Sequence, residues 1–204
     1  MIFTLLLSVL SFEARLSILD ARLAMNRHEV WASERRSWQR IIAMNEARFG
    51  EGVVPERDLI QARLEGGLLD LGVSRAEREL ESARRRLAIL FPESDLPDLE
   101  EGPEPSFPPL PPGVAGKGMD DAAQEYEAAR EEIQTFRLRL LAQCEESAAI
   151  EELLYEQLKT PLLSVIEARR TCREIRLRYG EALHRAETSR LHLRRLLGRE
   201  DFLS

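Results

Sequence analysis

The residues whose chemistry could support catalysis or metal binding are few and scattered. His184 and His192 are eight positions apart and could share one face of a helix, but no third ligand completes a metal site. Cys144 and Cys172 lack the short spacing of a metal or redox motif. The sequence contains no GxSxG, HExxH or CxxC motif and no glycine-rich phosphate loop. We therefore predict that the protein is not an enzyme and uses no cofactor or metal.

The two cysteines leave two interpretations open. Cys172 falls on an apolar helical seam, described below, which favours a small buried side chain. A disulfide with Cys144 is possible only if the helices that carry the two residues pair closely. The sequence alone favours the buried, unpaired interpretation.

A segment with a turn and a helix start occurs twice, 106 residues apart. It reads RFGEGVVPERDLIQAR at 48–63 and YEQLKTPLLSVIEAR at 155–169. Pro55 and Pro161 match, and proline suits the first turn of a helix because its missing N–H has no intrahelical partner there. The correspondence predicts an internal duplication.

An apolar seam follows each turn, with positions spaced alternately three and four residues apart. This 3.5-residue period is typical of helices that supercoil against their neighbours, although a plain helical bundle fits it too. The first seam comprises Leu59, Ala62, Gly66, Leu69, Val73, Ala76, Leu80, Ala83, Leu87 and Leu90. The second comprises Val165, Ala168, Cys172, Ile175, Tyr179, Ala182, Ala186, Ser189, Leu193 and Leu196. The many small residues predict close helix approach.

Composition agrees with long helices and argues against nucleic-acid binding. Charged residues make up 32% of the chain and aromatic residues 6%, a profile typical of long helices. The formal net charge of −7 leaves no basic excess for nucleic acid. The N-terminal apolar run of about twelve residues is too short to span a bilayer, which needs roughly 20 residues. It lacks the features of a signal peptide, so we interpret Met1 as starting inside an amphipathic helix.

These observations predict an all-α fold of two long antiparallel helical hairpins, with four coiled-coil-like helices and no β-barrel strands. The expected domains are a first hairpin at 1–91, a proline-rich extended linker at 92–118 and a second hairpin at 119–204. The linker carries eight of the ten prolines. Its apolar residues could pack against the helices: Phe107, Leu110 and Val114. Gly198 is expected to stop the last helix.

Two further patterns concern the third helix and the outer surface. The third helix continues the 3,4 spacing through Tyr126, Ala129, Ile133, Phe136, Leu140, Gln143, Ser147, Ile150 and Leu154. Trp31 and Trp38 are seven positions apart, and we interpret them as core or interface aromatics rather than as a ligand site. Apolar residues off the seams predict self-association: Trp31, Trp38, Leu68 and Leu71.

The two copies resemble the repeated helical hairpins of the TolC-like outer-membrane efflux protein family. The residues that carry the resemblance are Arg48, Phe49, Gly52, Asp58, Leu59, Ala62 and Arg63, then Tyr155, Thr160, Val165, Ile166, Ala168, Arg169, Tyr179, Leu193, Leu196, Leu197 and Gly198. The resemblance implies a homotrimer whose chains each give four helices to a periplasmic tunnel. It also implies a periplasmic adaptor (membrane fusion) protein and an inner-membrane pump as partners. The outer membrane would be reached only through strands that this sequence lacks.

The resemblance further implies two sets of site residues. The partner-binding tips would be Gly50, Gly52, Val53, Pro55, Leu158, Thr160 and Pro161. The tunnel entrance would be lined by Asp58, Gln61, Ser164 and Glu167. Leu158 departs from the family pattern because it stands where the first copy has Gly52. Acids at helix starts are also favoured by the helix dipole alone.

The expected function is therefore the periplasmic α-helical tunnel part of an outer-membrane efflux or type I secretion duct. It would be a passive conduit located at the cell outer membrane and periplasm. Two alternatives stay open: a structural coiled-coil or adaptor-like hairpin protein that binds partners, and a truncated remnant without activity.

Overall fold

Long helices make up almost all of the structure, a computed structural model that describes residues 2–91, 99, 105–110 and 120–197. Helix α1 spans Ile2–Gly50 and α2 spans Glu56–Leu90. Helix α3, Asp120–Thr135, passes through a π-helical turn at Phe136–Leu140 into α4, Leu141–Glu156, and α5 spans Leu162–Leu197. No strand occurs among these residues. The prediction of an all-α fold built from helical hairpins is confirmed.

The helices fall into two compact units. The first, here called the tip unit, comprises Asn26–Glu79 and Arg137–Leu177. The second, the terminal unit, comprises Met1–Met25, Leu80–Phe136 and Arg178–Ser204. Each unit has its own apolar core. The largest fully buried side chain of the tip unit is Trp38, whereas the terminal unit packs the small side chains of Ala21 and Ala83 together.

Ion pairs show that the helices of the first hairpin run antiparallel within the tip unit. Near the turn, Glu46 pairs with Arg63 at 2.9 Å. Far from the turn, Arg27 pairs with Glu79 at 3.6 Å. Partners therefore move apart in sequence as they move away from the turn, which is the pattern of an antiparallel pair.

The seams of α2 and α5 are buried where they were predicted. Nine of the ten positions in each seam are buried or half-buried. The exceptions are Leu90 and Leu196, which are exposed and stand at the ends of their seams. Small residues such as Ala62 and Ala182 are fully buried, in agreement with close helix approach.

The predicted seam of the third helix is wrong at three positions beyond Phe136, whereas Leu140 and Leu154 are half-buried. Gln143, Ser147 and Ile150 were expected to be buried and are exposed. The reason is the π-helical turn at Phe136–Leu140, which closes i→i+5 hydrogen bonds and so contains one residue more than an α-helical turn. The buried face is shifted along the sequence, and the buried residues of α4 are Cys144, Glu152 and Tyr155.

One of the two tryptophans, Trp38, lies in the core, and the other, Trp31, is half-buried beneath a neighbouring side chain. Trp38 is fully buried, and its Nε1–H donates to the Ala62 carbonyl at 2.8 Å. Trp31 is half-buried, and the Arg173 guanidinium lies 4.6 Å from its ring centre. Gly72 leaves room for the Trp31 ring, because an added Cβ would collide with it. The expectation that Trp38 serves self-association is therefore wrong.

Part of the proline-rich linker is held against α3 in the terminal unit. The Phe107 side chain is buried and packs on Tyr126, with ring centres 6.4 Å apart. The Tyr126 hydroxyl donates to the Pro108 carbonyl at 2.8 Å, and the Leu110 N–H donates to the Glu127 carboxylate at 2.7 Å. Burial raises the pKa of Tyr126 to about 12. The predicted roles of Val114 and Gly198 lie outside the described residues.

The cysteines form a disulfide in the tip unit. Cys144 of α4 and Cys172 of α5 are bonded, with their Cα atoms 4.9 Å apart. The sequence favoured an unpaired Cys172, and this expectation is wrong. Helices α4 and α5 approach closely enough at these positions for the bond to form.

Candidate functional site

The first turn ends α1 with a left-handed residue. Gly52 has φ 73°, a conformation that glycine adopts without a steric penalty. Its N–H donates to the Phe49 carbonyl at 3.0 Å, and the Val53 N–H donates to the Arg48 carbonyl at 2.8 Å. This pair of bonds is the Schellman motif, which satisfies carbonyls that the helix end leaves without partners.

The second turn has the same hydrogen bonds 106 residues later. The Leu158 N–H donates to the Tyr155 carbonyl at 3.0 Å, and the Lys159 N–H donates to the Leu154 carbonyl at 2.8 Å. Leu158 has φ 58°, so a leucine adopts the left-handed conformation that Gly52 adopts in the first turn. With leucine in place of glycine, the left-handed backbone conformation of this turn is less favourable, but the hydrogen bonds of the turn are the same.

Side chains of α1 bind the end of α4 within the tip unit. Arg48 donates to the carbonyls of Tyr155 at 3.2 Å and Glu156 at 2.7 Å. The buried Tyr155 hydroxyl donates to Asn45 Oδ1 at 2.6 Å. Burial raises the pKa of Tyr155, and the negative charge of Asp58 acts in the same direction. These contacts join the end of α1, next to the first turn, to the end of α4, next to the second turn.

The residues predicted for partner binding are accessible. The exposed ones are Gly50, Gly52, Val53, Pro55, Leu158 and Pro161. Thr160 is half-buried, and its hydroxyl donates to the Glu151 carboxylate at 3.0 Å. Val53 and Leu158 place apolar side chains in solvent next to the two left-handed turns.

The residues predicted for a tunnel entrance differ in exposure. Asp58, Gln61 and Ser164 are half-buried, whereas Glu167 is exposed. Asp58 pairs with its neighbour Arg57 at 3.5 Å. Glu167 contributes to the raised pKa of Arg170, although the hydrogen bond from Arg170 to Glu65 is the larger cause.

Two groups of buried ion pairs link α5 to the other helices of the tip unit. Glu65 of α2 is only 3% exposed and is bound by Arg170, whose Nε donates to it at 3.0 Å. Arg173 Nη1 lies 3.6 Å from the other oxygen of Glu65. Burial lowers the pKa of Arg173, and the charge of Glu65 opposes this effect.

The second group is centred on Arg169. This buried side chain donates to Glu34 of α1 at 3.2 Å and also pairs with Glu152 of α4. Arg40 binds the same Glu152 at 2.7 Å. Neither group was identified from the sequence. Glu152 lies on the buried face of α4 because the π-helical turn shifts that face along the sequence, and this turn is seen only in the structure.

Neither a membrane span nor a metal centre is found in the described parts of the chain. No helix there combines the length and apolarity needed to cross a bilayer. No group of three or more His, Cys, Asp or Glu side chains within 2–91, 105–110 and 120–197 is placed to hold a metal ion.

Two solved structures have a similar fold. One is a membrane protein from Pseudomonas aeruginosa, with a TM-score of 0.79 at 13% identity. The other is CusC, described for conformational changes that accompany folding and transmembrane channel formation, with a TM-score of 0.80 at 14% identity. The fold is TolC-like. Each match covers 94% of this chain, and this chain spans only 66% and 68% of the length of the two solved chains.

At sequence identities of 13% and 14%, the two comparisons establish the fold of this chain and nothing beyond the fold. No protein-family model matches the sequence, and no curated protein matches it either.

The two left-handed turn positions give a matched stability test. Leu158→Gly should raise the free energy of unfolding by about 1 kcal/mol, because it removes the strain of a side chain at positive φ. Gly52→Ala should lower it by about 1 kcal/mol for the same reason, since the added Cβ would meet no atom within 4 Å. Urea unfolding followed by circular dichroism measures both. Equal effects of the same sign would contradict the assigned backbone conformations.

The buried ion pairs should respond far more strongly than exposed ones. Arg169→Met leaves the carboxylates of Glu34 and Glu152 short of a partner and should cost about 3–5 kcal/mol of stability. The control is Arg63→Met, which removes an exposed pair with Glu46 and should cost less than about 1 kcal/mol. Similar losses in the two variants would show that the Arg169 group is solvated in solution.

Proposed function

We propose that the chain forms the periplasmic α-helical tunnel part of an outer-membrane efflux or type I secretion duct. The single observation that carries the proposal is the likeness to CusC over 94% of the chain, with a TM-score of 0.80. The CusC structure is described in terms of transmembrane channel formation, and the likeness leaves only a small part of this chain unmatched. The chain would act as a passive conduit at the outer membrane and periplasm, driven by an inner-membrane pump.

The proposal includes a duplication of one helical hairpin. The hydrogen bonds of the two turns correspond one to one at an offset of 106 residues, from Val53–Arg48 to Lys159–Leu154. Both turns use positive φ at corresponding positions. The start of α5 follows the start of α2 by the same offset. A shared origin explains why a leucine holds a conformation that favours glycine.

Self-association is supported by an apolar stripe on α2. Ile60, Leu64, Leu68 and Leu71 are each exposed by about half or more, with Leu71 at 69%. Their spacing of four, four and three residues places them along one side of the helix. Gly67 lies beside this stripe, and an added Cβ there would meet no atom within 4 Å. We propose that this face meets neighbouring chains in a homotrimer.

The turns and helix starts supply the two proposed sites. The exposed turn residues would form the tips that bind a periplasmic adaptor, with Val53 and Leu158 as apolar contacts. Glu167 is the exposed acid one turn into α5 and would give each chain one charge at the tunnel entrance. Asp58 is half-buried beside Arg57, so it would add less to the charge of that ring.

Sedimentation velocity tests the assembly. The purified chain at micromolar concentration should sediment as a trimer, and Leu68→Gln with Leu71→Gln should convert it to a monomer of unchanged helicity. The control is Leu153→Gln, which changes an apolar residue of a different helix, α4, that is as exposed as Leu68. A helical wild-type monomer would instead support a structural hairpin protein that conducts nothing.

Cross-linking tests the tips. A purified periplasmic adaptor from the same organism should cross-link to the wild-type chain and to Ile89→Glu. The change Val53→Glu together with Leu158→Glu should reduce cross-linking at least tenfold, because it places charge on the apolar tip surface. Full cross-linking of the tip variant would show that the turns are not the docking site.

A further inference from the structure

The disulfide occupies a defined place between the two arms of the second hairpin. Cys144 and Cys172 stand fourteen residues before and after Leu158, the left-handed residue of the turn. In the first hairpin, the positions fourteen residues before and after Gly52 are Trp38 and Gly66. The two pairs are therefore equivalent positions across the arms of their hairpins.

The first hairpin fills this place by packing. An added Cβ on Gly66 would lie 3.6 Å from Cδ1 of Trp38 and 2.7 Å from Cδ1 of Ile42. Gly66 is thus the notch that admits a large buried ring from the opposite arm. The tryptophan packed on this glycine, together with its hydrogen bond to the Ala62 carbonyl, fixes the register of α1 on α2.

The second hairpin has no large side chain in this place. Two small side chains span the gap, and each is only 7% exposed. Without a bond they would contribute little contact across the arms, since a free cysteine packs as a small apolar group. We propose that Cys144 and Cys172 are an oxidative modification site whose disulfide fixes the register of the second hairpin, in the place of the Trp38–Gly66 contact.

The chemistry requires an external disulfide as oxidant. One cysteine thiolate attacks a sulfur of that disulfide, forms a mixed disulfide and releases the first thiol of the oxidant. The other cysteine thiolate then attacks the cysteine sulfur of the mixed disulfide and releases the second thiol. The two cysteines lose two electrons and two protons in total, and the oxidant is reduced to two thiols. Such bonds persist in oxidising compartments such as the bacterial periplasm. This inference does not depend on the proposed function.

Redox titration of the unmodified chain tests the site. After incubation with oxidised glutathione, the folded protein should show no thiol that reacts with Ellman's reagent under denaturing conditions, and dithiothreitol should release two. Reduction should lower the melting temperature by on the order of 10 °C, the shift expected for a loop of this length in a chain of this size. The variant Cys144→Ser with Cys172→Ser should melt at the reduced temperature and ignore dithiothreitol. Two free thiols after oxidation, or an unchanged melting temperature, would overturn the proposal.

A transplanted bond tests the equivalence of the two hairpins. In the background Cys144→Ser with Cys172→Ser, the change Trp38→Cys with Gly66→Cys should form an intramolecular disulfide, seen as the loss of two hydrogens by intact mass. The matched control is Trp38→Cys with Gly67→Cys, which moves one cysteine to the neighbouring open position and should stay reduced. Equal cross-linking of both pairs would show that positions 38 and 66 are not specifically equivalent to the positions of Cys144 and Cys172.

Discussion

The tip unit depends on the neutralisation of carboxylates that its helices bury. Glu65 of α2, Glu34 of α1 and Glu152 of α4 are almost inaccessible, and a buried charge without a partner is strongly destabilising. Helix α5 supplies the partners through Arg169, Arg170 and Arg173. One helix therefore carries the cations that let three others approach, and its rotation or sliding would leave several charges unpaired at once. This requirement fixes the register of α5 more tightly than its seam of small residues can.

Apolar contacts alone would leave that register ambiguous. A seam that repeats every three or four residues matches itself after a shift of one heptad, so it specifies a face better than a position along the axis. The structure adds contacts that occur once. Trp38 enters the notch at Gly66, Arg48 binds the last carbonyls of α4, and the disulfide joins α4 to α5. These contacts lie in the helices that flank the turns at Gly52 and Leu158. The proposed function requires a defined geometry there, because the turns are the proposed partner-binding tips.

The turns and seams could be predicted from sequence because they depend on local rules. Proline before a helix, glycine at positive φ and a 3.5-residue period each act within a few residues. The disulfide, the buried ion pairs and the interior position of Trp38 depend on which helices meet, and one sequence does not show this. Leu158 is an intermediate case: its offset from Gly52 predicted the turn, whereas its residue type argued against the backbone conformation that it adopts. The identity of 13–14% to structures of similar fold reflects the same division, since many sequences satisfy the local rules.

The π-helical turn also carries information about the history of the proposed duplication. Downstream of it, buried Cys144 corresponds to buried Trp38 at an offset of 106. Upstream, buried Tyr126 and Ala129 correspond to buried Ala21 and Ala24 at an offset of 105. Under the proposed duplication, the second hairpin would contain one residue more than the first between these points. A single inserted residue would rotate the rest of an α-helix by about 100° and bring its polar side inward. Widening one turn absorbs the extra residue, so under the proposed duplication the π-helical turn at Phe136–Leu140 would mark the position of a residue inserted into the second hairpin.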